Sequence, residues 1–435
     1  MTIVIMAGGK GTRIASVNPQ IPKPMLPLMG KPVLEYGLEI IRAQGYTEVY
    51  ITVGYLKRVI MDYFGDGSRW GMRIHYIEED SPMGTAGALY LLKDIVEEDI
   101  LLVNGDILFN IDIHRMYEWH REHGGTATLL VHPNDHPYDS GLIVADSDGR
   151  VYSWLHKEET RGWCSNRVNA GIHIISSKIF SREYQIFDGL KKMDLDRDVL
   201  EPLIDKGELY AYYSPEYVKD MGTPKRLEQV ERDLKSGKVS AGNLGKKQRA
   251  VFLDRDGTIN RYAGFVRRAE ELELLPGSAQ AIRAINRSGY LAIIVTNQPV
   301  IARGETTVAQ LQEIHNKLET LLGQEGAYVD AIYYCPHHPD KGYDGEVEKL
   351  KIVCNCRKPE PGLLYRAAED YNIDLTDSWM VGDGERDVKA GIRAGCQTVY
   401  LGSKEDDYGQ MYTFGSLTEF VERFLEAGTD GKVCG

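Results

Sequence analysis

The chain has little that would tie it to a membrane, a nucleic acid or an oxidising compartment. Nowhere in its 435 residues is there a run near the roughly 18 apolar residues that a membrane helix needs. The start, MTIVIMAGGKG, has no basic segment and no small-residue cleavage site, so it does not read as a signal peptide; TIVIMA reads as a short buried strand. Basic charge is scarce too. The 51 Lys and Arg against 64 Asp and Glu leave a net charge of −13, the wrong sign for nonspecific nucleic-acid binding, though a local cation cluster can still hold a phosphate. Cysteines number only six: Cys164, Cys335, Cys354, Cys356, Cys396 and Cys434. Three of them fall in one stretch beside two histidines, and without a secretion signal that favours metal ligation over disulfides and a cytoplasmic setting. No internal repeat or low-complexity tract occurs. What remains is a globular composition, 43% hydrophobic and 26% charged, over a length that calls for two or three domains.

The chain divides near its middle. Residues 1–235 alternate short Val-, Ile- and Leu-rich runs, such as EVYITVGY at 48–55 and DILLVNGD at 99–106, with longer amphipathic ones. That alternation suits a largely parallel sheet with crossover helices. Residues 236–248 are small, polar and basic and read as a linker. A second alternation covers 249–428, and 429–435 form a tail. The expected fold class is therefore α/β, in two domains.

In the first half the strand TIVIMA runs into Gly8-Gly9-Lys10-Gly11-Thr12-Arg13. Glycines let a backbone pass close to a polyphosphate with its N–H groups facing it, and Lys10 and Arg13 add charge where pyrophosphate builds up. No GK[ST] follows at P-loop spacing. Lys23 stands between two prolines on a stiff segment, and Asp106 ends a strand at the carboxyl edge of a sheet, a natural metal-ligand position. The ordered set GGKGTR, PKP, GTAGAL at 84–89, Gly105-Asp106, NAG at 169–171 and DMGTP at 220–224 resembles the sugar-1-phosphate nucleotidyltransferase family over nearly the whole half.

That resemblance implies a Rossmann-like domain with a mixed or parallel sheet. It implies attack by a sugar-phosphate oxygen on the α-phosphorus of a nucleoside triphosphate, catalysed by alignment and charge neutralisation. By the same likeness Asp106 and Asp220 hold Mg²⁺, and Arg13 and Lys23 grip the triphosphate. Gly8, Gly9, Gly11, Thr12, Gly84 and Thr85 receive the nucleotide, and Asn169 and Gly171 touch the sugar. The family also carries Glu-Lys before NAG. Here the string is Trp154-Leu155-His156-Lys157-Glu158, so Lys157 aligns with the lysine on the sugar phosphate, and either His156 replaces the glutamate or the register slips to Glu158.

In the second half the apolar run Val251-Phe252-Leu253 ends in Asp254-Arg255-Asp256-Gly257-Thr258. Residues two apart in an extended segment share a side, so both carboxylates can face one site. Asp254 is the candidate nucleophile, and Asp256 the acid and base that serves the leaving oxygen and then water. Mg²⁺ offsets the charge of the phosphate. Thr296-Asn297 at a strand end, the cations Arg357-Lys358, and Asp383 with Asp387 complete four ordered motifs that resemble the haloacid dehalogenase phosphatases over residues 249–427. The resemblance implies a haloacid dehalogenase-like domain with Asp254, Asp256 and Asp383 around Mg²⁺.

Cys335-Pro336-His337-His338 and Cys354-Asn355-Cys356 suit a structural Cys₃His zinc site, with His337 taken as the ligand and His338 as the spare. DRDGTIN, the zinc loop, CRKPEPG and IARG at 301–304 together look like the heptose 1,7-bisphosphate phosphatases, with Gln298-Pro299-Val300 in place of the more usual Gln-Ser-Gly. The two likenesses imply consecutive steps of nucleotide-activated heptose synthesis, with heptose phosphates and a nucleoside triphosphate, GTP favoured, as partners. Nucleic acid and membrane are not expected partners, and oligomerisation is left open. The competing readings are a hexose-1-phosphate nucleotidyltransferase joined to a histidinol-phosphate-type phosphatase, and a nucleotide-sensing domain that regulates a phosphatase.

Overall fold

The computed structural model describes residues 1–9, 20–79, 83–181, 183–184, 186, 192–262 and 264–426. The chain forms two compact units. The first comprises Met1–His132, Gly141–His156 and Val168–Asn243; the second comprises Pro133–Ser140, Lys157–Arg167 and Leu244–Gly435.

The first unit is built on β1 (Thr2–Met6), β2 (Glu48–Val53), β3 (Arg73–Glu78), β4 (Ile100–Asn104), β5 (Ala127–His132), β6 (Leu142–Ala145), β7 (Val151–Leu155), β8 (Val168–Ile175) and β9 (Leu209–Tyr213). Their order is β7-β6-β8-β4-β1-β2-β3, with β5 bridging β8 and β9. β1 is parallel to both β2 and β4, whereas β8 runs antiparallel to β4, so the sheet is mixed. Helices cover both faces. Ile3 and Ile5 enter one apolar cluster and Val4 the other, which is why TIVIM carries no polar alternation. The chain leaves β1 toward β2 and β3 on one side and returns to β4 on the other. That reversal opens a crevice at the carboxyl ends of β1 and β4, where open α/β sheets bind ligands. A two-stranded ribbon, Ile107–Asn110 with Tyr217–Asp220, extends this edge. The stretch read as a linker carries a helical turn at Lys238–Ala241, because Val239 finds an apolar niche with Leu108, Tyr217 and Val230.

The second unit has six parallel strands: β10 (Ala250–Leu253), β11 (Leu291–Asn297), β12 (Ala331–Cys335), β13 (Trp379–Gly382), β14 (Gln397–Leu401) and β15 (Tyr412–Phe414), in the order β12-β11-β10-β13-β14-β15. The order again reverses beside the first strand, between β10 and β13. Val251 and Leu253 face one apolar cluster and Ala250 and Phe252 the other. The helix Val308–Gln324 buries Leu311, Ile314, Leu318 and Leu322 at helical spacing, and Thr307 with Gln310 forms a capping box at its start. The two short segments from earlier in the chain pack on this helix. Asn166 N–H donates to the buried Glu319 carboxylate at 2.5 Å, Cys164 N–H donates to Thr320 Oγ1 at 3.0 Å, and Tyr138 O–H donates to the Thr320 carbonyl at 2.9 Å. No helix among the described residues is long and apolar enough to cross a membrane.

Candidate functional sites

In the first unit the crevice is a cavity of about 340 Å³ lined by Met6, Ala7, Gly8, Gly9, Lys23, Pro24, Thr52, Glu79, Gly84, Thr85, Asn104 and Asp106. Lys10, Gly11, Thr12 and Arg13 lie outside the described residues. Lys23 Nζ is 2.5 Å from Asp106 Oδ2. Asp220 pairs in register with Ile107, next to Asp106, and the Met221 N–H reaches the Asp106 carbonyl. The Asp220 carboxylate accepts from the Gly222 N–H and from Arg226 Nη1, each at 2.8 Å. Two carboxylates at the end of this ribbon, each balanced by a cation, are hard oxygen donors of the kind Mg²⁺ takes beside phosphate oxygens.

The Gly84–Thr85 turn is clasped by the chain at 193–195. Ala86 N–H donates to the Met193 carbonyl, and Leu195 N–H donates to Thr85 Oγ1 at 2.7 Å. Gly171 lies against the side chain of Asn104, a residue that lines the cavity. His156 Nε2 is 2.7 Å from Glu201 Oε1, so this histidine is paired with a carboxylate. Lys157 begins a segment of the second unit, exposed and 3.9 Å from Glu158. Glu79 carried no sequence signal. Its carboxyl is pushed up by burial, against the pull of the Met83 N–H, and it lines the same cavity as Gly8 and Gly9.

In the second unit a cleft of about 550 Å³ contains Asp254, Asp256, Thr296, Asn297, Arg357, Lys358, Asp383 and Asp387. Asp254 follows β10 and Asp383 follows β13, on the two sides of the reversal point, and a backbone bond from Asp254 N–H to the Val381 carbonyl joins the strand ends. Gly257 has φ +90, and a Cβ there would sit 1.9 Å from Asp383 Oδ2, so only glycine lets the two loops close.

Lys358 is the centre of the charge arrangement. Its Nζ lies 2.8 Å from Asp254 Oδ1, 2.6 Å from Asp387 Oδ1 and 2.7 Å from the Val295 carbonyl, so all three of its donors are used. Burial pulls Lys358 down, but Asp254 and Asp387 outweigh it and hold it above its ordinary value. Burial pushes Asp254 up to about 6 against the pull of Lys358, with Asp387 and Asp256 adding to the rise. Burial, reinforced by Asp254, lifts Asp383 to about 6 as well.

The carboxylates that converge are Asp254, Asp383 and Asp387, whose oxygens lie within 4.8 Å of one another. Such an oxygen-only set suits Mg²⁺. Asp387, rather than the Asp256 side chain, is the third carboxylate of this group. Asp256 turns instead to Arg255, with Nη2 at 2.9 Å, to Asn260 Nδ2 at 2.9 Å and to Gln298 Nε2 at 3.0 Å. Burial would raise its pKa, but these donors, Arg255 foremost, hold it below the ordinary value. Thr296 Oγ1 accepts from Gln298 Nε2 at 3.0 Å. The Asn297 amide makes a two-point clasp with the Lys358 backbone, 3.0 Å on each side, so it positions the lysine. Beyond these groups stand Arg303, Arg357 and Arg386. Burial, then Arg386 and Arg303, pull Arg357 below its ordinary pKa, the mark of mutually repelling cations. Arg303 lies over the rings of Phe265 and Tyr343, 4.6 Å from each.

Cys335, His337, Cys354 and Cys356 bring their ligand atoms within 4.8 Å. The sulfurs stand 3.2–3.6 Å apart, far beyond a disulfide's roughly 2.05 Å and near the spacing that tetrahedral zinc–thiolate bonds of about 2.3 Å produce. His337 Nδ1 is 3.2 Å from Cys356 Sγ, whereas the buried His338 turns its Nε2 to Arg303 Nη2 at 3.0 Å. Arg357 Nη1 donates to the His337 carbonyl at 3.2 Å, which links this cluster to the cleft.

The nucleotidyl transferase family model matches residues 2–237, and the haloacid dehalogenase-like hydrolase model matches residues 186–395. The chain is 40% identical over 158 residues to a D-glycero-beta-D-manno-heptose-1,7-bisphosphate 7-phosphatase of Escherichia coli K12, covering 36% of this chain and 81% of that protein. It is 33% identical over 238 residues to a mannose-1-phosphate guanylyltransferase of Mycobacterium tuberculosis, covering 54% of this chain and 64% of that protein. A solved structure of HddC from Yersinia pseudotuberculosis aligns at 26% identity and TM-score 0.47, covering 54% of this chain and 99% of that one. The chain therefore belongs to the nucleotidyl transferase family in its first half and, fused to it, to the haloacid dehalogenase-like phosphatases in its second.

Proposed function

We propose that the chain performs two consecutive steps of nucleotide-activated heptose synthesis. The second unit removes the phosphate on C7 of D-glycero-D-manno-heptose 1,7-bisphosphate, and the first couples the resulting heptose 1-phosphate to GMP from GTP, releasing pyrophosphate. The observation that carries the reading is the cation group Arg303, Arg357 and Arg386, which extends the cleft beyond Asp254 and Lys358. One phosphate needs only the reacting end; the arginines suit a second anion on the same substrate. The likeness to the Escherichia coli 7-phosphatase supports that substrate.

At the reacting end a carboxylate oxygen of Asp254 attacks phosphorus and the ester P–O bond breaks. The leaving sugar oxygen takes a proton from the protonated form of Asp256, a minor form because Arg255, Asn260 and Gln298 favour its carboxylate. Water then attacks the aspartyl phosphate, giving its proton to Asp256 and releasing inorganic phosphate. Lys358 offsets the charge of the entering phosphate and keeps Asp254 aimed. Asp254, Asp383 and Asp387 would hold Mg²⁺, which would supply further charge neutralisation. Cys335, His337, Cys354 and Cys356 would hold zinc, which would order the loop that carries Arg357.

In the first unit Lys23 and Arg13 would bind the triphosphate, Asp106 and Asp220 would hold Mg²⁺, and Gly84 and Thr85 would receive the nucleotide. Guanine is favoured because Glu79 offers two acceptor oxygens, which match the N1–H and N2–H donors of guanine; adenine presents one donor beside an acceptor there, and uracil one donor. Mannose 1-phosphate is the second reading of the acceptor, favoured by the Mycobacterium tuberculosis relative. The setting is proposed as cytoplasmic.

Phosphorus NMR of the full chain with Mg²⁺, heptose 1,7-bisphosphate and each nucleoside triphosphate in turn tests the scheme. Free phosphate plus a sugar-nucleotide pyrophosphate signal with GTP supports both steps. Phosphate without sugar nucleotide sinks the heptose reading of the first unit, and sugar nucleotide from mannose 1-phosphate alone would select the second reading.

A further inference from the structure

Asn169 and His173 are four residues apart on β8, a separation of about 13 Å in a regular strand at roughly 3.3 Å per residue. Here Asn169 Oδ1 and His173 Nε2 are 3.1 Å apart. The strand is bulged between them. Asn169 pairs with Val131 and His173 with Leu129, so four steps along β8 match two along β5. Gly171 absorbs the kink at φ +73, and a Cβ there would lie 2.4 Å from the Asn104 amide nitrogen, so the position demands glycine.

The hydrogen bonds then assign the atoms. The Gly171 N–H, which can only donate, lies 3.1 Å from Asn169 Oδ1, so the oxygen end of that amide points into the bulge. His173 meets the same oxygen and must donate from Nε2, which leaves Nδ1 without a proton. That Nδ1 is buried with no hydrogen-bond partner in a side chain only 1% exposed. Burial also draws His173 down to about 4, so the ring is neutral near pH 7. Asn169 Nδ2 has no protein partner among the described residues, and its neighbour Gly171 abuts Asn104, which lines the nucleotide cavity.

We propose that His173 is a positioning residue for the acceptor sugar: it locks the Asn169 amide with its oxygen inward, so that the NH₂ group is presented to an oxygen of the sugar phosphate. The proposal rests on the transferase reading of this unit. Asn169 makes the contact, and His173 acts only through it.

The test compares wild type with His173→Leu, which removes both the donor and the orphaned nitrogen, and with His173→Gln, which restores an amide donor. Full-length protein is assayed with mannose 1-phosphate and heptose 1-phosphate as acceptors. The expected result for H173L is a roughly 5- to 10-fold rise in KM for the sugar phosphate, the range one net hydrogen bond covers. KM for GTP stays within about twofold, and Tm is equal to or above that of wild type. H173Q recovers most of the loss, and H173L adds nothing in an Asn169→Ala background. An unchanged sugar KM in an H173L variant of an active wild type overturns the inference. So does a matched loss in both KM values with a fall in Tm, which marks a merely structural role. If wild type forms no sugar nucleotide from either acceptor, the transferase reading itself fails, and the inference with it.

Discussion

Lys358 offers the sharpest test of how the phosphatase site is held together. It is 2% exposed and lies within ion-pair distance of Asp254 and Asp387, which are themselves only 15% and 6% exposed. Replacing it with methionine keeps the length of the side chain and removes the one cation between two buried carboxylates. Breaking a buried pair by deleting one partner costs about 3–5 kcal/mol, chiefly because the remaining charge is left uncompensated. For a unit of this size about 1 kcal/mol corresponds to roughly 2–4 °C, so K358M is expected to lower the transition of the second unit by about 10–15 °C in EDTA. Mg²⁺ can offset the same carboxylates, so millimolar Mg²⁺ should restore several degrees to K358M and fewer to wild type. Lys358→Met/Asp387→Asn, which also removes one charge, should be more stable than K358M alone. Differential scanning calorimetry with and without Mg²⁺ reads all of these. A K358M transition that matches wild type in EDTA would refute the reasoning, since the charges would then be solvated well enough not to need the lysine.

Three further outcomes follow from the same geometry. Purified protein should contain one zinc per chain by elemental analysis, and Cys354→Ser should lose it and weaken phosphatase activity, because the Arg357–His337 link to the cleft loosens; sugar-nucleotide formation should continue. Glu79→Gln should cut kcat/KM for GTP by roughly 10- to 100-fold, the span of a two-point base contact, with little effect on the sugar phosphate KM; equal losses with every nucleotide would remove Glu79 from base selection. The third outcome concerns pH. The folded-state pKa of His173 is depressed to about 4 from an ordinary 6.5, so between those values the unfolded chain takes up a proton that the folded chain refuses. Stability from this group is present above pH 6.5 and falls by up to about 1.4 kcal/mol per unit as pH drops toward 4. Asp196, raised to about 6 by burial, acts in the opposite sense over the same window. The clean readout is therefore a difference: the Tm of H173L minus that of wild type should grow as pH falls from 7 to 5.

Much of this protein could be read from residue order alone. Strand-and-loop alternation in both halves, the glycine-rich turn after β1, the DRDGT turn after β10 and the paired cysteine motifs are local patterns, and local backbone preference and hydrophobic periodicity act over the few residues that carry them. These determined two α/β folds, the two families and the neighbourhood of each site. Tertiary structure decided what depends on which distant groups meet. Asp387 rather than the Asp256 side chain joins Asp254 and Asp383, because Arg255, Asn260 and Gln298 draw Asp256 away. His337 turns to the thiols and His338 to Arg303, a choice that two adjacent histidines cannot reveal in sequence. Two short segments, 133–140 and 157–167, leave the first alternation and complete the second unit on the helix Val308–Gln324, where the buried Glu319 accepts from the Asn166 N–H. Glu79 and His173 carried no motif, since burial and an orphaned lone pair arise only once strands are paired and a bulge has formed. Sequence records which chemistry is available; the desolvation and geometry that direct each group exist only in the packed chain.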